Sequence, residues 1–352
     1  MKNDIPKSSV AHTTIGPLKR KNATKTSLPK LGSVKTRINP KKPGAIAYAA
    51  VINPESTQPA KAGLRYRLSH WILGRLERLA RARFEIAELS SDKLDDWKQG
   101  DGINWIIAQS VNASSEIEGE NVHVDKLDLI ELPVTEAEDK EVDSELKTRL
   151  AAIRSIYDAY IWALCRKPDP ILSYEFVIEL HKRMFGTTKR GHAGVVKTRK
   201  VFIAGGGYNI ETLPPERTEE FLRATCDRFS RNWELARKHS EYSTFLLIAE
   251  FIIDFLAIHP FADGNGRTAR LLSTYLLEKS GYHFARFYPV DYVILETRRD
   301  YYQALFLSQK EWFKNDEDLT PWVDYYTKAV FTQWLRAYEC VKDKHLKGGR
   351  EK

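Results

Sequence analysis

The stretch 259–270, HPFADGNGRTAR, concentrates residue types that suit phosphate chemistry. The turn Gly264–Gly266 is compact, and a helix predicted to begin near its end would direct free N–H groups and a positive dipole end back into it. Such a helix start binds anions, and phosphate is the usual guest. Arg267 and Arg270 are spaced i, i+3, so both guanidinium groups lie on one side of the first helical turn. They suit the outer phosphates of a nucleotide.

Two further side chains of this stretch supply a metal ligand and a base. Asp263 is placed to hold Mg²⁺ against the phosphates, since Mg²⁺ prefers one or two carboxylates together with phosphate and water. His259 can accept a proton from an attacking hydroxyl near neutral pH. Each residue alone has an ordinary explanation as a helix cap, a surface turn or a solvated arginine. Their order along twelve residues favours a phosphate-transfer site.

Helical periodicity dominates the chain after residue 60, so predicted helices must position the stretch 259–270. The predicted helices cover 64–89, 102–117, 144–166, 173–185, 216–238, 245–258, 266–280, 296–311 and 319–342. The run 245–258 is apolar except for Glu250 and Asp254, which predicts a buried central helix that Pro260 ends. The segment 201–208 is a β-favouring run followed by three glycines and predicts a short hairpin. The expected fold class is mainly α with one small hairpin.

The net charge of +8 over 352 residues belongs to the N-terminal tail. Residues 1–45 carry eleven basic side chains and one acidic side chain, which leaves a net charge of −2 for the rest of the chain. The tail is rich in Lys, Thr, Ser and Pro and lacks the apolar residues of a core, so we predict that residues 1–60 are disordered. A transit peptide is the less favoured interpretation of the tail.

Composition also limits the compartment. We find no signal-peptide pattern and no run of about 18–20 apolar residues, so we expect no membrane span. Three widely spaced cysteines exclude a disulfide framework and a metal knuckle. We therefore expect a cytoplasmic protein.

The stretch 259–270 resembles the signature of Fic-domain proteins, H-P-F-x-D-G-N-G-R-x-x-R, at every fixed position, and the similarity extends over about Asn112–Ala337. The resemblance implies a Fic-type helical bundle that transfers AMP from ATP to a hydroxyl of a target protein. In that family's mechanism His259 is the general base and Asp263 the Mg²⁺ ligand. The nucleotide-binding set that it implies here is Gly264, Asn265, Gly266, Arg267, Thr268, Ala269 and Arg270. Gly266 favours nucleotidyl transfer over phosphorylation, because a related kinase-like subgroup carries Lys at that place.

An upstream motif, SSEIEG at 114–119, adds a regulatory prediction. Ser114 and Glu118 are spaced i, i+4 on one face of a helix that Gly119 can end. The motif resembles the family's inhibitory helix, S/T-x-x-x-E-G/N. The resemblance implies that Glu118 pairs with Arg270 and keeps it from the γ-phosphate. The alternative is that Glu118 is only the last charged residue of a helix.

The predicted hairpin resembles the family's flap, formed here by Val201, Phe202, Ile203 and Ala204. An exposed strand edge can align a target segment through backbone hydrogen bonds. The preceding Gly194–Lys197 departs from the usual Gly-x-aromatic-Arg pattern. Downstream, Tyr301, Tyr302 and Gln309 match positions that contact adenosine in similar proteins. The alternative is that these three belong to the core.

These observations predict a basic tail (1–60), a helical region with the inhibitory motif (61–135) and a Fic domain with C-terminal helices (136–342). The predicted function is self-inhibited adenylyl transfer from ATP, with Mg²⁺, to a Ser, Thr or Tyr hydroxyl. One alternative is removal of AMP from a modified target by the same fold. Another is a regulatory protein whose tail docks on nucleic acid, although we do not expect a nucleic-acid partner. The oligomeric state stays open, with a homodimer as one option.

Overall fold

The structure is a computed structural model. It describes residues 65–90, 101–119, 144–167, 171–186, 192–205, 207–238, 243–312 and 316–348. All of them belong to one compact unit, Ala47–Lys352. The predicted disordered tail (1–60) lies outside the described residues.

Helices make up most of the described chain, and a two-stranded antiparallel sheet is its extended element, so the predicted fold class is confirmed. The helices before the sheet are α1 (His70–Ser90), α2 (Asp101–Ile117), α3 (Ser144–Cys165) and α4 (Tyr174–Phe185). The hairpin consists of β1 (Phe202–Gly205) and β2 (Tyr208–Glu211). The helices after it are α5 (Pro215–Lys238), α6 (Thr244–Ile258), α7 (Asn265–Lys279), α8 (Val290–Glu296), α9 (Arg298–Gln309) and α10 (Thr320–Gly348), with a 3-10 helix at His283–Arg286.

Helix α6 is the centre of the core, as its apolar run predicts. Every side chain from Phe245 to Ile258 is buried, and α5, α7, α9 and α10 pack around it. The Ser243 side chain caps the helix by accepting a hydrogen bond from the backbone N–H of Leu246. The helix ends at Ile258, so the chain leaves the middle of the core directly into the stretch 259–270.

The prediction for α1 was wrong at its start, because residues 65–69 are not helical. The carbonyl of Arg65 accepts a hydrogen bond from Leu319 N at 2.7 Å, and Arg67 N donates to Thr320 Oγ1 at 2.8 Å. These two bonds hold the segment against the start of α10 instead of within a helix. The helix begins only after Ser69, whose hydroxyl accepts a hydrogen bond from Ile72 N.

The prediction around residue 296 missed a helix. Sequence periodicity gave one helix over 296–311, whereas the structure has α8 and α9 separated at Thr297. Thr297 ends α8 with φ −109° and ψ 28°, outside the helical region, and both its N–H and its hydroxyl donate to the carbonyl of Val293. Helix α8 carries Asp291, whose carboxylate lies beside Arg270.

The hairpin lies against α9. Its register pairs Ile203 with Ile210 and Gly205 with Tyr208. A Cβ at Gly205 would lie 2.3 Å from ring atoms of Tyr302, so this strand position requires glycine. The ring of Tyr208 stacks on Phe306 with centroids 4.8 Å apart. The turn end of the hairpin is therefore packed against α9.

None of the described helices combines the length and the apolar character needed to cross a bilayer.

Candidate functional site

A cavity of about 250 Å³ lies where the α6–α7 loop, the end of α2, the flap and α9 meet. Its walls come from Glu118, the flap residues Val201, Phe202, Ile203 and Ala204, and Leu256, His259, Ala262, Asp263, Gly264, Asn265, Gly266, Tyr301, Tyr302 and Leu305. Most residues that the sequence singled out therefore converge on one space. The exceptions are Ser114, Arg267, Thr268, Ala269, Arg270 and Gln309.

His259 enters the cavity because the chain turns sharply after α6. It has a left-handed backbone (φ 51°) and caps the helix by donating its N–H to Phe255 O at 2.8 Å, as expected for a residue that Pro260 excludes from the helix. Its Nδ1 lies 3.3 Å from the carbonyl of Leu256, which only accepts, so Nδ1 carries the proton and Nε2 is the acceptor. Burial and the Lys197 ammonium lower the pKa of His259 to about 3, so the ring is neutral at neutral pH.

The glycine turn is closed by side chains. Asn265 accepts a hydrogen bond from Phe261 N at 2.9 Å and donates one to Phe261 O at 2.8 Å. Gly264 has φ +79°, and a Cβ there would lie 2.5 Å from the ring of Phe185, so the turn requires glycine. The first N–H groups of α7 have no partner within the helix, and Gly264, Asn265 and Gly266 line the cavity. The turn is therefore a suitable site for an anion.

His181 on α4 holds the loop from behind, a role that sequence reasoning missed. Its Nδ1 accepts a hydrogen bond from Gly194 N at 2.9 Å, so its Nε2 donates to the carbonyl of Asp263 at 3.0 Å. Its ring stacks on Phe261 with centroids 3.6 Å apart, and burial lowers its pKa to about 4. A single histidine on the apolar face of a helix gives no sequence signal for this role.

Lys197 links the base of the flap to the end of α6. Its Nζ donates to Ile258 O and to Thr212 Oγ1, both at 2.9 Å, and the Thr212 hydroxyl donates to the carbonyl of Val201. The side chain is 4 % exposed, and burial lowers its pKa to about 7. The departure from the usual flap approach thus places a buried lysine beside His259.

Asp263 and Arg267 occupy the open side of the loop. The Asp263 side chain is half-exposed, accepts a hydrogen bond from Gly264 N at 2.7 Å and forms an ion pair of 3.5 Å with Arg267 Nη2. The guanidinium of Arg267 is mostly buried and stacks 4.7 Å from the ring centre of Phe185. One exposed carboxylate beside an anion site is a donor set that fits Mg²⁺ together with phosphate and water.

Arg270 is not one of the residues that line the cavity, but it is bonded to Glu118, which is. Nη2 of Arg270 donates to Glu118 Oε1 at 2.8 Å and to Ser114 O at 2.9 Å, while Nε donates to Ser114 Oγ at 2.7 Å. A Cβ at Gly266 would lie only 2.1 Å from Glu118 Oε1. The Glu118 carboxylate therefore lies against the first turn of α7, where an anion is favoured.

A second carboxylate, Asp291 on α8, approaches Arg270 from the opposite side. Its Oδ1 is 3.3 Å from Arg270 Nε, and its Oδ2 accepts a hydrogen bond from Ser110 Oγ at 2.6 Å. Asp291 is completely buried, which raises its pKa, while the charge of Arg270 acts in the other direction. Sequence reasoning missed this residue because no helix was predicted over Val290–Glu296.

The three candidate adenosine contacts divide into two groups. Tyr301 and Tyr302 line the cavity, whereas Gln309 does not. The Gln309 amide is 1 % exposed and donates to Ile253 O at 3.4 Å. Leu305, one turn earlier on the same helix face, takes the place on the wall. Thr268 and Ala269 are also buried away from the cavity, and the Thr268 hydroxyl donates to Gly264 O at 2.8 Å.

Residues 171–277, which include this loop, match the model of the Fic/DOC family. This segment is a Fic domain. The match begins just before α4 and ends within α7, so the flap and the α6–α7 loop both belong to the Fic domain.

Curated relatives share this segment. The chain is 28 % identical over 193 residues to protein adenylyltransferase fic-1 of Caenorhabditis elegans, which covers 54 % of this chain and 34 % of the relative. It is 28 % identical over 167 residues to protein adenylyltransferase Fic of Nematostella vectensis, which covers 47 % of this chain and 34 % of that protein. The chain thus spans about a third of the length of these relatives.

Solved structures share the fold over a longer range. A Fic family protein from Desulfovibrio desulfuricans superposes with a TM-score of 0.60 at 19 % identity, over 80 % of this chain and 78 % of that one. A fragment of Fic-1 from Caenorhabditis elegans gives a TM-score of 0.55 at 21 % identity, over 78 % and 73 % of the two chains. The Fic fold therefore extends beyond the segment that the family model matches.

Proposed function

We propose that this chain is a self-inhibited protein adenylyltransferase that transfers AMP from ATP to a Ser, Thr or Tyr hydroxyl of a target protein. The observation that carries the proposal is the single cavity shared by a neutral His259, the anion-binding turn Gly264–Gly266 and the Glu118 carboxylate. The relatives named as protein adenylyltransferases support the same activity.

In this proposal the target hydroxyl attacks the α-phosphorus of ATP, the bond from that phosphorus to the bridging oxygen breaks, and pyrophosphate leaves. Nε2 of His259 accepts the hydroxyl proton, a role for which a neutral ring with Nδ1 held by Leu256 O is suited. The N–H groups at the start of α7 hold the phosphate chain, with Arg267 and Arg270 directed to its outer phosphates.

Mg²⁺, when bound, would neutralise phosphate charge, and Asp263 is the residue that would hold it. The exposed Asp263 carboxylate already lies next to the anion turn and beside Arg267. Tyr301 and Tyr302 would border the adenosine, and the flap edge from Val201 to Ala204 would align the target segment. Gln309 and the buried Thr268 and Ala269 would support the pocket from behind, without touching ATP.

Self-inhibition by Glu118 is supported by what its carboxylate contacts. It is bonded to Arg270 and lies against Gly266, which is where a terminal phosphate would bind. A carboxylate there competes for the same guanidinium and repels the charge of the nucleotide. We accordingly assign the inhibitory motif to the region 61–135 and the transfer chemistry to 136–342. Since none of the three cysteines forms a disulfide, we also propose a cytoplasmic location.

The test is the transfer of labelled AMP from ATP to protein with Mg²⁺ present. We expect Glu118→Gly to raise transfer about ten- to hundredfold, because a hydrogen bond to a charged group contributes about 1.5–3 kcal/mol and 1.4 kcal/mol corresponds to a factor of ten. The matched control is Glu118→Gly with His259→Ala added. Equal labelling by both variants would contradict the proposal.

Removal of AMP from a modified target is the second candidate, favoured by the position of Glu118 on the cavity wall, where it could orient a water molecule. The two activities separate when a target already carrying AMP is incubated with wild type and with Glu118→Gly. Faster AMP release by the wild type would support removal, and slower release would support transfer.

A further inference from the structure

We infer that Asp291 is a positioning residue that keeps the Arg270 guanidinium aligned with the nucleotide when Glu118 is displaced. The inference rests on the proposed function, because it assigns Arg270 to the outer phosphates of ATP. It concerns a residue outside the 259–270 loop and outside the inhibitory motif.

The two carboxylates contact different edges of Arg270. Asp291 Oδ1 lies 3.3 Å from Nε, which donates its hydrogen bond to Ser114 Oγ, whereas Glu118 is bonded to Nη2. The third nitrogen, Nη1, is buried without a hydrogen bond among the described residues, and it lies 3.1 Å from where a Cβ of Gly266 would be. Nη1 is therefore adjacent to the anion turn, and it is the donor that an incoming phosphate would meet.

Asp291 is itself held more firmly than Glu118. Its carboxylate is fully buried and accepts from Ser110, whose hydroxyl is also 3.2 Å from Tyr160 OH. Glu118, in contrast, directly follows the last residue of α2, and its side chain is 32 % exposed. A phosphate can displace Glu118 into solvent, while Asp291 has no solvent-facing position to move to.

The buried Arg270 guanidinium needs a compensating negative charge while a phosphate displaces Glu118. The Arg270 side chain is 3 % exposed, and leaving such a charge unpaired is strongly unfavourable. Once Glu118 leaves, Asp291 is the carboxylate that remains beside Arg270 among the described residues. Asp291 thus holds the Nε edge, so Nη1 and Nη2 stay directed at the phosphate site.

The experiment measures binding of ATP and of AMP by calorimetry in the Glu118→Gly protein, with and without Asp291→Asn. AMP lacks the phosphates assigned to Arg270, so it reports the rest of the pocket. We expect Asp291→Asn to weaken ATP binding about tenfold and leave AMP binding unchanged, because the buried Arg270 loses the negative charge beside its Nε edge. The control is Glu278→Gln in the same background, since Glu278 is another buried carboxylate, paired with Arg286 outside the cavity. It should leave the ATP-to-AMP ratio unchanged.

An unchanged ratio in Asp291→Asn would overturn the inference, and so would an equal loss for both nucleotides, which indicates a purely structural role. An unchanged ratio is also the result if Asp291 is protonated and carries no charge. If Asp291→Asn does not fold, Ser110→Ala tests the same point, because it loosens the carboxylate without removing it. We expect it to lower the ratio about twofold to threefold, and no change would overturn the inference. If Glu118→Gly itself binds ATP no better than AMP, the role of Arg270 in the proposed function fails as well.

Discussion

Two buried clusters of arginine and carboxylate groups lie in this protein, and they differ in how completely their charges are satisfied. The Asp254 cluster consists of Arg65, Arg228, Asp254 and Glu317. The Arg270 cluster consists of Ser114, Glu118, Arg270 and Asp291. The first joins α5, α6 and the segments that precede α1 and α10. The second lies behind the candidate active site.

In the Asp254 cluster both oxygens of the central carboxylate are hydrogen-bonded. Arg65 donates two hydrogen bonds to the Asp254 carboxylate at 2.7 and 2.8 Å, Arg228 donates one at 2.6 Å, and Trp312 Nε1 donates another at 2.9 Å. The arginine charges lower the pKa of Asp254. Asp254 is fully buried, so nothing in this cluster is available to a ligand.

Within the part of the chain that the structure describes, the Arg270 cluster has one donor, Nη1, without a hydrogen-bond partner and one carboxylate, Glu118, partly open to solvent. The contrast teaches that burial and ion pairing alone do not indicate function. The informative features are an unsatisfied polar atom and a replaceable partner at the edge of a cavity.

Asp254→Asn should produce the largest change in the free energy of unfolding. Removing the charge deprives Arg228 of its paired carboxylate and leaves Arg65 with Glu317 alone, which costs about 3–5 kcal/mol. Urea unfolding measures the loss, and nucleotide binding by the protein that remains folded should be unchanged. A selective loss of ATP binding would show that the Asp254 cluster is not purely structural.

Glu250→Gln should show that a buried carboxyl group next to the Asp254 cluster titrates near neutral pH. Burial, and then the nearby Asp254 charge, raise the pKa of Glu250 to about 7, although Arg65 opposes the shift. A raised folded-state pKa means that the stabilisation is complete below the unfolded pKa and is lost as the pH rises through about 7. For the wild type we expect the free energy of unfolding to fall by up to about 3 kcal/mol between pH 4.5 and pH 8.

The variant removes this titration. Its unfolding free energy should match the wild type near pH 4.5 and exceed it at pH 8, as measured by urea unfolding at a series of pH values. Parallel pH profiles for the two proteins would mean that Glu250 does not titrate in this range.

Glu118→Gln should have the smallest effect on stability. A partly exposed ion pair contributes about 1 kcal/mol or less, so thermal unfolding should change little. ATP affinity should nevertheless rise, because the neutral amide no longer repels the phosphates. Asp254→Asn and Glu118→Gln are thus expected to behave oppositely, and a Glu118→Gln protein with large destabilisation and unchanged ATP affinity would remove the distinction between the clusters.

The parts of the site that the sequence predicts are those whose residues are close together along the chain. The loop from His259 to Arg270 is contiguous, and Ser114 and Glu118 are one helical turn apart, so spacing alone suggests their geometry. The central helix also follows from its apolar run. Asp254 appears in that run only as a polar exception. The sequence does not indicate its ion pairs, because its partners Arg65 and Arg228 are distant along the chain.

The remaining contacts depend on tertiary packing that no local pattern encodes. Asp291 meets Arg270 only because a seven-residue helix, too short for a clear periodicity, packs against α2. His181 joins two loops from the apolar face of α4, where a histidine looks like a core residue. The start of α1 was misplaced because bonds to Leu319 and Thr320, far along the chain, outweigh local helix propensity.

Gly266 connects donor choice with regulation. The space that a side chain would fill at this position is the space that the Glu118 carboxylate occupies, 2.1 Å from the missing Cβ. A side chain at this position would therefore displace the Glu118 carboxylate from the first turn of α7. Under the proposed function, one substitution here would alter the phosphate site and weaken the proposed inhibitory contact at the same time.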